Sequence, residues 1–174
     1  MGTGIILQAR LTSKRFPNKM LCPLVGKPVI QWTIEAVKKS KFPFVIAIPD
    51  QTTDRGLGEW IKLYDPKIKV IHGSEGDLVM RFLQVLKFVD YDPIIRICGD
   101  NPLMNPVDIL IANTLFKQRK RYIRLNNVEI FSKKELEYVD KNDPFIVRRE
   151  DCVNMLNQTV DYPEDIVRLE REMR

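Results

Sequence analysis

The chain has 174 residues, 44% apolar and 29% charged, the balance of one globular domain with a buried core and not of a disordered segment. Its formal charge of +5 favours anionic partners in general, and no apolar run reaches the roughly 20 residues that a membrane-spanning helix needs. Three scattered cysteines, Cys22, Cys98 and Cys152, form no C-x-x-C pair, and the single histidine, His72, argues against a multi-histidine metal centre, so a reducing cytoplasm is the expected compartment.

The apolar run from Gly4 to Gln8 reads as a first strand and not a signal peptide, because it lacks a basic flank and a small-residue cleavage site. Residues 8 to 19 follow as Gln-Ala-Arg-Leu-Thr-Ser-Lys-Arg-Phe-Pro-Asn-Lys, with the cations Arg10, Lys14, Arg15 and Lys19 close together. Arginine forks and mobile lysine charges suit a polyphosphate, and Ser13 and the loop's N–H groups add neutral donors. A solvated basic loop explains the same composition. Nucleic-acid binding is disfavoured, since only Phe16 is interleaved among the cations. The loop matches neither a P-loop nor G-x-G-x-x-G.

After the Gly26-Lys27-Pro28 turn, Val29, Ile30, Ile34 and Val37 predict a helix. Strands are predicted at Phe44 to Ile48 and Ile68 to Ile71. His72 to Asp77 joins the latter to a helix marked by Leu78, Phe82, Leu86 and Val89. Ser74, Asp77 and free N–H groups there can meet a ligand, or Asp77 can simply cap the helix. A strand from Ile94 to Cys98 leads into Gly99-Asp100-Asn101-Pro102, where Gly99 permits close backbone approach. Asp100 can hold Mg²⁺ or serve as a turn residue, since the tetrapeptide is good turn chemistry. Helices are predicted around Ile109 to Phe116, from Ser132 to Val139 and over Ile166 to Met173, with a strand at Val128 to Phe131. Asp161 and Glu164 spell a capping box, which leaves one carboxylate oxygen for a metal. Strands alternating with helices predict a single three-layer α/β domain over residues 1–174, with ligands beyond the carboxyl ends of the strands.

In order along the chain, these segments resemble the CMP-sugar-acid cytidylyltransferases, most of all the branch named for spore-coat polysaccharide biosynthesis. Ile5 to Arg10 with Ser13, Arg15, Pro17 and Lys19 resembles the family's opening. Gly73-Ser74-Glu75 with Asp77, Leu78, Arg81 and Phe82 resembles G-S-E-x-D-V-L-x-R-[FY]. Arg96 to Leu103 resembles R-I-T-G-D-x-P-L, while Val128 to Phe131 and Thr159 to Asp165 resemble V-E-V-F and T-V-D-T-P-E-D. Lys14, Asn18 and Cys98 depart from a usual threonine, glycine and threonine.

The resemblance implies a nucleotide-diphospho-sugar transferase fold, three αβα layers with a mostly parallel sheet. It implies transfer of CMP from CTP to a sugar acid, with release of pyrophosphate, in surface-polysaccharide biosynthesis. Arg10, Ser13, Arg15 and Lys19 would grip the phosphates, and Asp100 and Asp161 would hold Mg²⁺. Gln8, Ala9, Ser74, Asp77 and Gly99 complete the expected nucleotide-binding set, and Arg10, Lys19 and Asp100 are the expected catalytic groups. CTP and a small acidic sugar are the expected partners, with neither nucleic acid nor membrane. Family members run well beyond 200 residues, and the shortening falls near residues 117–121 and 154–158. That half carries acceptor contacts and a dimer-forming extension in relatives, so a homodimer is less expected here. The rival readings are a glycosyltransferase of related fold, which a D-x-D motif would favour and which none supports, and a non-catalytic nucleotide-binding module.

Overall fold

A computed structural model of the protein describes residues 1–50, 52–119, 122–137, 152–153 and 159–174. Its strands are β1 (Gly2–Gln8), the small hairpin β2 (Pro23–Leu24) and β3 (Lys27–Pro28), β4 (Phe44–Pro49), β5 (Val70–Gly73), β6 (Tyr91–Cys98), β7 (Ile123–Leu125), β8 (Val128–Phe131) and β9 (Cys152–Val153). Its helices are α1 (Val29–Lys39), α2 (Arg55–Tyr64), α3 (Leu78–Val85), α4 (Pro106–Arg119), α5 (Lys133–Glu137) and α6 (Pro163–Met173).

Seven strands form one sheet in the order β5-β4-β1-β6-β8-β7-β9. β5, β4, β1 and β6 pair in parallel, and β8 runs antiparallel to both β6 and β7. From β1 the chain builds outward through β4 to β5, then returns to lay β6 on the other side of β1. The strand order therefore reverses between β1 and β6, the place where open α/β sheets leave a crevice at their carboxyl ends.

β1 and β6 are covered on both faces, which is why their sequences are nearly continuous apolar runs. Ile5, Leu7, Ile95 and Ile97 enter one core with Ile30 and Ile34 of α1, Leu57 and Ile61 of α2, and Ile109 of α4. Ile6 and Ile94 enter the opposite core with Val79, Phe82 and Val85 of α3 and Leu136 of α5. These are the expected three layers. A third cluster joins Leu24 and Val29 to Val160 and Leu169, and so draws the segment before α6 back toward the start of the chain.

The expected element boundaries shift in several places. α2 was not foreseen, because Gly56 and Gly58 weaken helix propensity. Burial of Leu57 and Ile61 one turn apart outweighs that, and Gly58 lets the helix sit close to the sheet, where a Cβ would lie 3.2 Å from Ile48. α3 ends at Val85 and not Val89, since Lys87 and Phe88 donate to the carbonyls of Gln84 and Val85 in tight turns. β5 starts at Val70 because Ile68 is still hydrogen-bonded into the turn after α2, through Asp65. β7 is also new: it forms a hairpin with β8 around Asn126-Asn127, with Asn126 in the left-handed region at φ 51°. Residues 120, 121, 138, 139 and 154–158, part of the expected last helices and shortened stretches, lie outside the described residues. No helix among the described residues is long and apolar enough to cross a membrane.

Candidate active site

β1 and β6 end side by side, with Gln8 paired to Cys98. Beyond β1, the Leu11 carbonyl accepts from the N–H groups of Ser13 and Asn18 at 2.8 and 3.0 Å and closes the basic loop. Asn18 then turns in the left-handed region, and a 3-10 turn, Lys19–Leu21, carries Lys19 inward until it is only 5% exposed.

The Lys19 ammonium meets three acceptors. It donates to Asp100 Oδ2 at 2.5 Å, to the Val160 carbonyl at 2.7 Å and to Asp161 Oδ1 at 3.4 Å. The two carboxylates come from segments 61 positions apart (161 less 100), yet these oxygens are separated by no more than the 2.5 and 3.4 Å legs end to end, 5.9 Å. A second bond keeps the two segments together: Val160 N–H donates to the Asp100 carbonyl at 2.9 Å.

Neither carboxylate is used up by local structure. Asp161 does not cap α6. The cap oxygen is Asp165 Oδ2, which accepts from the N–H groups of Asp161 and Tyr162 at 2.8 and 2.9 Å. The expected Asp161–Glu164 box is therefore one residue out of register, because Tyr162 is the residue preceding the first helical turn. Asp161 instead faces Lys19, Thr159 and Arg15, whose guanidinium lies 2.7 Å away. The hydrogen bond to Tyr162, and then the Asp161 charge, raise the Arg15 pKa. Asp100 sits in a turn, but its side chain bonds Lys19, and Oδ1 is buried with no partner among the described residues. Asp77 does act as the expected cap, accepting from Met80 N–H at 2.9 Å.

These groups line a cleft of about 1110 Å³. Gln8, Ala9, Arg10, Ser13, Arg15, Lys19, Asp77, Asp100 and Asp161 all reach its wall, and Ser74 and Gly99 do not. Ser74 is held beneath the rim, its N–H donating to Gln84 and its carbonyl accepting from Arg81. Gly99 is a packing residue, since a Cβ there would come within 3.2–3.3 Å of Ala9, Gln8 and Met20. His72 also stands apart from the cleft.

Two cations that composition did not single out also line the wall. Arg81 is 4% exposed and holds the opposite rim by donating to the carbonyls of Ser74 and Glu75 at 2.6 and 2.8 Å. Burial, then the neighbouring Arg10 cation, pull its pKa below the usual arginine value. Arg96 crosses to Glu129 at 2.6 Å on the antiparallel neighbour β8. Arg124 approaches the other Glu129 oxygen at 3.9 Å, so two guanidinium groups share one carboxylate. Burial opposes the Arg96 charge, but Cys98 and Glu129 raise its pKa overall. The signal in the sequence was a charge inside an apolar periodic run, at position 81 of α3 and 96 of β6. In all, six cations and four carboxylates line the cleft, a surplus suited to a polyanion.

The cytidylyltransferase family pattern matches residues 4–165. The chain belongs to this family. A 3-deoxy-manno-octulosonate cytidylyltransferase of Francisella tularensis subsp. novicida is 36% identical over 100 residues, covering 58% of this chain and 40% of that relative. The chain thus matches well under half the length of this curated relative. A cytidylyltransferase structure from Leptospira borgpetersenii superposes with a TM-score of 0.80 at 25% identity, covering 97% of this chain and 84% of that one. A CMP:2-keto-3-deoxy-manno-octonic acid synthetase complexed with CTP superposes at 0.58 with 23% identity, over 72% and 52% of the chains. The fold is the α/β nucleotidyltransferase fold with a mostly parallel sheet.

The polar floor of the cleft makes a prediction of its own. Cys98 accepts from Gln8 Nε2 at 3.1 Å, and burial pushes its thiol pKa up to about 11. At pH 8 the thiolate is scarce, so alkylation of Cys98 by iodoacetamide should run roughly a hundredfold slower than that of a free thiol of pKa ≈ 8.5. Mass spectrometry of the quenched reaction measures this, and equal rates would mean that the floor is open to water.

Proposed function

We propose that the protein transfers CMP from CTP to a sugar acid and releases pyrophosphate, with Mg²⁺ as the metal and surface-polysaccharide assembly in the cytoplasm as the setting. The observation that carries this reading is the pair of carboxylates, Asp100 and Asp161, gathered on one ammonium beneath a rim of cations. CTP is supported by family membership and by the synthetase of the same fold that was solved with it. The setting rests on the motif resemblance alone.

The residues present fit a magnesium ion. Magnesium takes one or two carboxylates and completes its shell with phosphate oxygens and water. Asp100 and Asp161 supply the carboxylates, and Asp100 Oδ1, without a partner among the described residues, is a ready ligand atom. When bound, the ion polarises phosphate oxygens as a Lewis acid.

The chain's own groups do the rest. Arg10 and Lys14 are exposed on the rim and meet the phosphates first. Arg15 is bound to Asp161 only at an exposed surface, where ion pairs are weak, so it can exchange that partner for a phosphate. Lys19 already spends its donors on Asp100, Val160 and Asp161, and so organises the carboxylates. The acceptor hydroxyl attacks the α-phosphorus in line, and the fixed cations offset the charge that builds on the phosphates. Arg96 and Arg124, sharing Glu129, leave net positive charge beside the floor, which favours an acidic acceptor. A non-catalytic nucleotide-binding module is the second reading, favoured by the short match to the longer relatives.

Pyrophosphate release with CTP and Mg²⁺ across a panel of 2-keto sugar acids separates the readings. Release that requires both CTP and an acid supports the transferase, whereas CTP binding without release on any acid leaves the binding module. Arg10→Ala should weaken CTP binding roughly tenfold to a hundredfold by the loss of one charge-assisted contact, and Lys19→Ala should weaken it as well, because the carboxylates it gathers lose their cation. Calorimetry on the folded variants checks this, and unchanged affinity in both would remove the loop from the site. Asp100→Asn and Asp161→Asn should each lower turnover by at least about a hundredfold, beyond what outer-shell changes usually cost. Neither residue caps a helix with its side chain, so an asparagine variant that keeps full activity would show that its carboxylate is no ligand.

A further inference from the structure

Asp54 is wholly buried and precedes α2 as its capping residue, yet its side chain makes no bond to that helix. Asp54 ends the 3-10 turn Thr52–Asp54 that runs straight into α2, and its helical backbone (φ −92°, ψ −4°) lacks the extended conformation that lets an aspartate cap the first turn. Here Oδ1 turns away and accepts from the Leu11 N–H at 2.5 Å, 43 positions earlier in the chain. Oδ2 is buried with no partner among the described residues. A buried carboxylate bonded to an N–H 43 positions away is held there by the tertiary structure.

Leu11 is the knot of the basic loop. Its carbonyl takes the N–H groups of Ser13 and Asn18, so the chain between them folds back on this one peptide group, while Arg15 is tied separately to Asp161 at the exposed surface. Those internal bonds fix the shape of the loop but not its place. Among the described residues, the one bond on the Leu11 peptide that comes from another element is that of Asp54. Leu11 is itself 7% exposed, so an N–H left without Asp54 has little access to water and must move or stay unpaired.

We infer that Asp54 is a positioning residue: through the Leu11 N–H it fixes the basic loop over the cleft, in the place where Arg10, Ser13 and Arg15 can meet an anionic ligand. That the ligand is CTP rests on the function proposed above. Asp54 does not line the cleft and touches no ligand itself. It acts through its oxygen as an acceptor, so asparagine, which keeps that oxygen, should replace it.

The test compares wild type, Asp54→Ala and Asp54→Asn by two measurements at a temperature where circular dichroism shows them folded. The first is the rate of trypsin cleavage after Lys14 and Arg15 without nucleotide, and the second is the affinity for CTP with Mg²⁺ by calorimetry. The alanine variant should be cut several-fold faster and bind CTP about tenfold more weakly, and asparagine should restore both. Wild-type cleavage and affinity in folded Asp54→Ala would overturn the proposal, as would an asparagine variant as impaired as alanine. If the alanine variant does not fold, hydrogen exchange at the Leu11 amide in wild type and Asp54→Asn decides: slow exchange in both supports the proposal, and unprotected exchange in either overturns it. If wild type binds no CTP, the nucleotide reading fails while the cleavage rates still report on Asp54.

Discussion

One buried ammonium organises this protein's cleft. Lys19 has three N–H donors, and the structure gives it three acceptors drawn from two distant segments. A buried charge left unpaired is costly, on the order of 3–5 kcal/mol when one partner of a buried pair is lost, and somewhat less here because Asp161 keeps 30% of its side chain in water. That cost makes the turn after β6 and the segment before α6 converge on the loop after β1. Without a cation between them, two carboxylates this close would repel. With it, they stand ready as a pair on one side of a basic cleft.

The sheet provides the place for that convergence. The reversal of strand order between β1 and β6 opens a crevice that neither helical layer fills, and polar side chains accumulate where the cover ends. Along β6 the pattern is Ile94, Ile95, Arg96, Ile97, Cys98: the residues on one face remain apolar, and those on the other become polar toward the crevice. Arg96 is tolerated in a buried strand because the antiparallel register sets Glu129 directly opposite it. The surrounding cations differ in how firmly they are held. Arg81 and Arg96 are locked by buried bonds, whereas Arg15 has an exposed partner it can exchange. A fixed floor with an exchangeable rim suits a site that must bind and release a charged ligand.

The acidic residues show how far local chemistry misleads. Asp161 and Asp77 each occupy a position before a helix where an aspartate is expected to cap, and Asp54 ends the 3-10 turn that leads into α2. Only Asp77 caps its helix. Asp161 gives the task to Asp165 and turns to Lys19 and Arg15. Asp54 leaves its helix for the Leu11 peptide. Cap propensity is worth about 1 kcal/mol, and a buried charge-assisted bond is worth more, so the tertiary partner wins where one is in reach.

The sequence by itself determined the alternation of strands and helices, because apolar periodicity follows from which faces are buried. It also marked the basic loop and the Gly-Asp-Asn-Pro turn, whose residue types are unusual for their positions. Motif order along the chain pointed to the family that the wider comparison then showed. Helix α2 was hidden by its glycines and β7 by its brevity, since both are stabilised by packing that propensity does not record. Only the tertiary structure decided that Asp100 and Asp161 share one ammonium, that Arg81 and Arg96 face the cleft, and that Asp54 reaches Leu11. The physical reason is shared: Lys19 meets Asp100 and Asp161 across 81 and 142 positions, Arg96 meets Glu129 across 33 and Asp54 meets Leu11 across 43, and that geometry exists only once the sheet has closed.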